Sequence, residues 1–193
     1  MNENLKKDEI KNAARQLFIR FGYNKTSMND IAKQSGLAKP TVYYYYQNKE
    51  SIFKEVVIDE AQSFMDEVDA ELSKFNSIEG KVSHLLKIIY EGLKKYSAEM
   101  KELPEIMCHF SPHGEPIVDG INNLFIAKLR PLLQAAKNEG SFDYEDDEIT
   151  LQALSYMTDF LNLDWMRKRP ESEQDKLIEK VIKIILNGLK RRQ

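Results

Sequence analysis

The sequence predicts an all-α protein in which a small amino-terminal three-helix domain is followed by a larger helical domain. Apolar residues recur three and four positions apart along most of the 193 residues, which is the spacing of helices that bury one face. Breaks at Gly, Pro and an Asn-Ser pair divide this pattern into separate helices. We place the first domain at residues 4–64 and the second at residues 65–193.

The first helix is expected to run from Asp8 to Gly22, where a glycine suits the carboxyl-terminal cap. Its apolar residues are spaced as one face of a helix. We therefore expect all six to be buried in the core of the first domain, namely Ile10, Ala13, Ala14, Leu17, Phe18 and Phe21.

Residues 27–46 predict two short helices joined by a tight turn, which is a helix-turn-helix motif. Ser27 followed three residues later by Asp30 is a start signal of the capping-box type. Gly36 suits the turn, because it adopts backbone conformations that a β-carbon disfavours. Pro40 suits the first turn of the second helix, where no backbone donor is lost.

Four consecutive tyrosines, Tyr43 to Tyr46, occupy the second helix of this motif. Successive helical residues point about 100° apart, so the four rings cannot all face one core. We expect Tyr46 to wedge the helix against its neighbours. We expect the other three to face outwards, where phenol hydroxyls beside Lys39 and Lys49 suit phosphate and sugar oxygens.

Charge is distributed unevenly along the chain. The whole chain carries a formal charge of −3, but residues 1–50 have four more basic than acidic side chains. A local basic excess is sufficient for neutralising phosphates.

The single cysteine, Cys108, excludes an internal disulfide and fits a cytoplasmic protein. We expect no membrane span and no signal peptide, because there is no apolar run of about 18 residues and the first fifteen residues are polar.

The amino-terminal third resembles the helix-turn-helix of the tetracycline-repressor (TetR) family of transcriptional regulators. The residues that carry the resemblance are Phe21-Gly22-Tyr23, Thr26-Ser27, Ile31-Ala32, Gly36-Leu37, Lys39, Thr41-Val42-Tyr43, Tyr46, Asn48-Lys49-Glu50 and Phe53. The signature is continuous over about residues 8 to 58. The rest of the chain matches the family only in length and helical character.

The resemblance implies contacts with double-stranded DNA at eight positions: Thr26, Ser27, Lys39, Thr41, Tyr43, Tyr44, Tyr45 and Lys49. Ser27 and Lys49 are expected to bind phosphates. Thr26 is expected to help lock the next helix and to reach the DNA backbone, and the other five to brace or enter the major groove. The chain departs from the family at Ala38, Pro40 and Tyr46, where Ser, Gly and Phe are usual. With Lys39 and Thr41 as the main base readers, part of the specificity is expected from DNA shape.

The second domain is expected to begin within a long helix that runs from Lys49 to about Phe75 and, in the family, couples ligand occupancy to the DNA-binding heads. Helices are then expected from Ser77, at 105–110, from about 117 to Gly140 with a kink or split at Pro131, at 147–169 and at 172–192. The last helix has an unusually wide apolar face. We therefore expect Ile178, Ile182, Ile185 and Leu189 to form a homodimer interface, as the last two helices do in the family.

Large adaptable side chains predict a pocket for a hydrophobic or flat effector in the second domain. The candidates are Tyr90, Met100, Met107, Phe110, Phe125, Tyr156, Phe160 and Trp165. Cys108, His109 and His113 could instead suggest a metal site or a nucleophile with a base. Their spacing is not a good zinc pattern and no enzyme signature surrounds the cysteine. We expect no metal, no cofactor and no enzymatic activity.

Together these features predict a ligand-responsive transcriptional regulator, most simply a repressor. It would bind a partly palindromic operator as a homodimer and be released by a small effector of unknown identity. The alternative is a structural helical adaptor whose basic amino-terminal end binds an acidic protein partner.

Overall fold

The computed structural model describes residues 3–99, 115–159 and 169–190. Within these ranges the protein is all-α, as predicted, and its one extended pairing is an isolated bridge between Phe142 and Lys190. The described helices are α1 (Glu3–Phe21), α2 (Met28–Ser35), α3 (Lys39–Tyr45), α4 (Lys49–Leu72), α5 (Ile78–Glu99), α6 (Glu115–Asn138), α7 (Asp147–Asp159) and α8 (Glu171–Leu189). The predicted helix at 105–110 lies outside the described residues.

The chain forms two compact units. The first contains Met1–Gln62 together with Ser97–Ile121, and the second contains Ser63–Tyr96 together with Asn122–Gln193. The predicted boundary after residue 64 is two residues from the first division, but the second unit is not one continuous stretch. Helices α4, α5 and α6 each contribute residues to both units.

The predicted helix caps are present in the structure. Ser27 and Asp30 form a reciprocal capping box at the start of α2, and Gly36 ends that helix with a φ of 69°. Backbone amides in the first turns of α4 and α5 donate to the side chains of Asn48 and Ser77, at 2.8 and 3.1 Å. Short polar residues thus satisfy amides that have no partner within their helix. Pro131 lies inside α6, which continues past it to Asn138.

The first unit buries one face of α1 around an aromatic cluster. Five of the six predicted core residues of α1 are buried, but Phe21 is 48% exposed, so the prediction for that position is wrong. Phe21 is the last residue of α1, and the side chain of Arg20 lies over its ring instead. The rings of Phe18, Tyr23 and Phe53 contact one another at centroid distances of 4.8 to 5.6 Å.

The second unit has its own apolar core, to which α4, α5, α6, α7 and α8 all contribute. One buried polar contact crosses this core, where the hydroxyl of Tyr90 donates to the Gln174 side chain at 3.3 Å. Ion pairs on the surface of the unit join Lys128 to Asp69 and Lys190 to Glu79.

Helix α8 differs from its prediction in the direction of its apolar face. The four residues expected at a dimer interface, Ile178, Ile182, Ile185 and Leu189, are all buried in the core of their own subunit. The prediction for these four residues is wrong because the apolar face is wide and a different edge of it faces away from the core. That edge holds half-buried Leu177 and Val181 and exposed Ile184. These three side chains share one face of the helix.

Candidate nucleic-acid interface

The second helix of the motif, α3, is short and is held in place by two buried side chains. Pro40 lies in its first turn, and Ala38 precedes it without a side-chain cap. Val42 and Tyr46 are buried beneath the helix. The Tyr46 hydroxyl donates to a carboxylate oxygen of Glu55 on α4 at 2.6 Å, so the predicted wedge is also hydrogen-bonded.

The opposite face of α3 is open to solvent. Tyr44 is 74% exposed, and Tyr43 and Lys39 are also exposed. The Lys39 ammonium lies 5.7 Å from the centre of the Tyr43 ring, and the Tyr44 and Tyr45 rings meet edge to face at 5.0 Å. Such a surface combines a cation with aromatic faces and phenol hydroxyls, which suits the phosphates, sugars and base edges of a groove.

Thr41 and Tyr45 are half-buried on the flanks of α3. Of the five predicted contacts on this helix, Lys39, Tyr43 and Tyr44 are therefore the exposed ones. Helix α2, against which α3 packs, carries the exposed Lys33.

Ser27 is exposed at the start of α2, but its hydroxyl is already engaged. It donates to Asp30 at 2.6 Å, and the Asp30 amide donates to the Ser27 oxygen at 3.3 Å. The Ser27 hydroxyl and the Ser27 amide, which donates to the same carboxylate at 2.9 Å, lower the pKa of the Asp30 carboxyl because both bonds favour its ionised form. The Ser27 hydroxyl must turn away from Asp30 before it can donate to a phosphate.

Thr26 is the clearest correction among the predicted contacts. Its side chain is 3% exposed and its hydroxyl donates to the Gly22 carbonyl at 2.9 Å. Its amide donates to the Tyr23 carbonyl at 3.2 Å. A side chain buried in this way stabilises the loop between α1 and α2 and is not available to a phosphate.

Lys49, the first residue of α4, also points into the protein. Its ammonium donates to the carbonyls of Tyr23 and Thr26 at 2.7 and 2.9 Å. It lies 4.0 Å from the centre of the Tyr23 ring. Burial lowers the pKa of Lys49, since desolvation disfavours the charged form.

Two exposed basic side chains near the motif were not among the predicted DNA contacts. Lys25, in the loop before Thr26, and Lys33, on α2, are both exposed. The local excess of basic residues was the available signal, but it could not distinguish these lysines from the engaged Lys49.

The predicted pocket residues do not form one described group. Tyr90 and Phe125 are buried in the core of the second unit, whereas Tyr156 is 62% exposed and points to solvent in the single chain. The prediction that Tyr156 lines a cavity of its own subunit is therefore not supported by its position. The other candidates, Met100, Met107, Phe110, Phe160 and Trp165, lie outside the described residues.

Cys108, His109 and His113, considered above as metal ligands, also lie outside the described ranges. In the part of the chain that the structure describes, no three His, Cys, Asp or Glu side chains are grouped to hold a metal ion. Across the same residues, no helix has both the length and the apolar character needed to cross a bilayer.

Comparison with known proteins gives a family match centred on the motif. Residues 10–56 match the model for bacterial regulatory proteins of the tetR family. The HTH-type transcriptional regulator YhgD of Bacillus subtilis is 21% identical over 184 residues, which cover 95% of this chain and 96% of YhgD. IcaR of Staphylococcus epidermidis, the negative transcriptional regulator of the biofilm operon icaADBC, is 33% identical over 90 residues, or 47% of this chain and 49% of IcaR.

Solved structures extend the likeness to nearly the whole chain. The transcriptional regulator FadR of Bacillus subtilis, crystallised in complex with stearoyl-CoA, superposes with a TM-score of 0.69 and is 18% identical. The match covers 94% of this chain and 98% of that one. At this identity the comparison shows a shared fold.

The helix-turn-helix, its solvent-facing second helix and the helical unit that follows thus agree with the family match. Residues 10–56 of this chain thus form the helix-turn-helix domain of the tetR family of bacterial regulatory proteins.

Proposed function

We propose that this regulator is a ligand-responsive repressor that binds a partly palindromic operator as a homodimer in the cytoplasm. A small hydrophobic or aromatic effector, bound by the second unit, would release it from DNA. The observation that carries the DNA-binding role is the exposed face of α3, where Lys39, Tyr43 and Tyr44 are open to solvent while Val42 and Tyr46 are buried.

This face is difficult to explain by folding alone. Tyr44 is a large aromatic side chain with most of its surface in water, and its helix is already held by buried residues on the other side. Phenol hydroxyls and a lysine on a rigid helix can contact backbone oxygens and base edges together. We assign the DNA contacts to Ser27, Lys39, Thr41, Tyr43, Tyr44 and Tyr45, and we omit Thr26 and Lys49 because both point inwards.

The homodimer is supported by apolar side chains left exposed on α7 and α8. Ile149 and Tyr156 on α7 and Ile184 on α8 are each more than half exposed in the single chain. Isolated exposed apolar residues are ordinary, but Ile184 continues a face that includes Leu177 and Val181. We propose that this face, and not the buried one predicted from sequence, meets a second copy.

The proposed effector class follows from the apolar character of the second unit. The second unit is a helical core in which Tyr90 and Phe125 are buried beside a polar contact to Gln174. The related fold of FadR holds stearoyl-CoA, so an architecture of this kind can accommodate a ligand that carries a long apolar chain. For this chain we propose only a small, predominantly apolar effector.

The test is selection of bound sequences from a random duplex pool, followed by titration of the selected duplex at increasing salt. We expect a partly palindromic sequence, a steep fall in affinity with salt, and a preference of roughly 10³ or more over scrambled DNA. If folded, dimeric protein enriches no sequence at low salt, the regulator would not bind DNA in this way. The adaptor with an acidic protein partner would then be the better account.

A further inference from the structure

We propose that the outward face of α3, formed by Pro40, Thr41 and Tyr44, reads thymine methyl groups in the major groove of the operator. The inference rests on the proposed DNA binding and specifies the chemical group that the reading helix recognises. Apolar contact with the methyl group of thymine is one of the ways in which a protein distinguishes base pairs in this groove.

The buried side chains of α3 show which way the helix faces. Val42 and Tyr46 are buried, and because they are four residues apart they lie on the same side of the helix. With about 100° between successive residues, Tyr44 points about 180° away from the middle of that side. Tyr44 is accordingly 74% exposed, which makes it the most exposed large apolar side chain among the residues that the structure describes.

Pro40 and Thr41 complete this outward face. They precede Tyr44 by four and three residues, which is the spacing of neighbours on one side of a helix. Pro40 is exposed and Thr41 is half-buried. The face therefore presents the ring of a tyrosine, the ring of a proline, and a threonine that carries a methyl group beside its hydroxyl. Most of the atoms that would meet base edges here are carbon.

Hydrogen-bonding readers of bases are scarce on α3 itself. Its seven residues, Lys39–Tyr45, include no Arg, Asn or Gln, which are side chains that make paired hydrogen bonds with guanine or adenine. Lys39 can donate to guanine, but it lies about 140° around the helix from Tyr44, with its ammonium 5.7 Å from the centre of the Tyr43 ring. The C5 methyl of thymine is the apolar group that base edges present in the major groove, and it matches the outward face.

The Tyr44 ring is also supported by its neighbour. It meets the ring of Tyr45 edge to face with the centroids 5.0 Å apart, within the favourable range for aromatic pairs. Tyr45 is itself half-buried, so the pair is anchored on the flank of the helix. A ring supported in this way can exclude water from a methyl group, and burying one such group is worth about a fourfold gain in affinity.

Uracil substitution in the selected duplex tests this inference with the unaltered protein. Deoxyuridine lacks the methyl group of thymidine but keeps its base pairing and its O4 acceptor. Each thymine is replaced singly, and thymines outside the two half-sites serve as the internal control. We expect roughly fourfold weaker binding for one or two thymines in each half-site, at symmetrically related positions, and no change at the control thymines.

Two substitutions of Tyr44 assign the effect to its ring. Tyr44→Ala should bind the selected duplex more weakly and should no longer distinguish thymine from uracil at the sensitive positions. Tyr44→Phe keeps the ring without the hydroxyl and should keep the distinction. Lys87→Ala, which changes an exposed residue of the second unit, should behave as the wild type does. Thermal unfolding of each variant checks that it is folded.

The results separate this inference from the proposed function. A selected duplex whose affinity no uracil lowers would overturn the inference alone, as would a uracil effect that persists unchanged in Tyr44→Ala. Weaker binding by Tyr44→Phe without any uracil effect would make the Tyr44 hydroxyl a phosphate contact and would also overturn it. If the folded wild-type protein enriches no sequence, the proposed function and this inference both fail.

Discussion

Tyr46 shows how one hydroxyl group connects the reading helix to the helix behind it. The buried ring lies at the end of α3, and its hydroxyl donates to Glu55 at 2.6 Å. Lys7 lies 5.6 Å from the centre of the same ring. The hydroxyl thus adds a polar contact to an otherwise apolar wedge.

Tyr46→Phe is expected to lower the free energy of unfolding by about 1–2 kcal/mol, because half-buried Glu55 loses its donor. Urea titration of both proteins at pH 7 measures the difference. Tyr44→Phe is the matched control, since it removes a hydroxyl from an exposed tyrosine on the same helix. An equal loss of unfolding free energy in both variants would show that the hydrogen bond to Glu55 does not stabilise the fold.

The same hydroxyl predicts a pH dependence. Burial, and then the hydrogen bond to Glu55, raise the pKa of Tyr46 above its ordinary value of 10.0. The unfolded chain therefore loses this proton at lower pH than the folded protein does. The stability that Tyr46 adds relative to phenylalanine should be complete below about pH 10 and should shrink as pH rises further. A constant difference between wild type and Tyr46→Phe from pH 8 to 11 would contradict this assignment.

At the scale of elements, the ring of Phe64 on α4 packs directly against Gly92 on α5. A β-carbon added at Gly92 would lie 2.6 Å from the Phe64 ring, which is closer than such contacts allow. The absence of a side chain on α5 thus makes room for Phe64 within the second unit. Glycine is needed at position 92 because the Phe64 ring lies so close to the backbone, and not because the backbone conformation is unusual.

Gly92→Ala is expected to destabilise the protein by about 1–2 kcal/mol, because the half-buried Phe64 ring, which packs against the core, must move. In a Phe64→Leu background the same change should cost much less, since leucine lacks the distal ring atoms. Thermal unfolding of the four proteins gives the coupling between the two positions. Equal costs in both backgrounds would mean that the ring does not limit this site.

The elements themselves were largely predictable from the sequence, whereas the roles of particular side chains were not. Helix ends at Ser27, Gly36, Asn48 and Ser77 follow from local hydrogen bonding and backbone preference, which act within a few residues. The inward position of Lys49 depends on carbonyls more than twenty residues away. No local pattern shows which of several lysines will meet such partners.

The apolar face of α8 illustrates the same limit. Its width predicted more than one set of neighbours, but periodicity gives angles around a helix and not the direction of the core. The sequence prediction assigned Ile178, Ile182, Ile185 and Leu189 to a partner, whereas they face their own subunit. Which edge of a wide apolar face is buried depends on how the other helices pack.

At the scale of the whole molecule, the proposed homodimer should depend on Ile184. Ile184→Glu places a charge on an exposed apolar side chain and is expected to weaken self-association at least tenfold. Lys183→Glu is the control, because Lys183 is exposed about 100° around the same helix and its replacement changes the charge more. Sedimentation equilibrium over a range of concentrations distinguishes them, and equal effects would place the interface elsewhere.

Comparison of selected sequences tests most directly whether two copies of this chain read DNA through the exposed face of α3. Wild type, Tyr44→Ala and Lys87→Ala would be selected in parallel from one random duplex pool. Lys87 is an exposed residue of the second unit, outside the proposed DNA-binding and dimer surfaces, so its variant is the control. We expect the wild type and Lys87→Ala to enrich the same partly palindromic sequence, and Tyr44→Ala to lose preference at symmetrically related positions in both half-sites. Identical sequences from all three proteins, or none from any of them, would contradict the account.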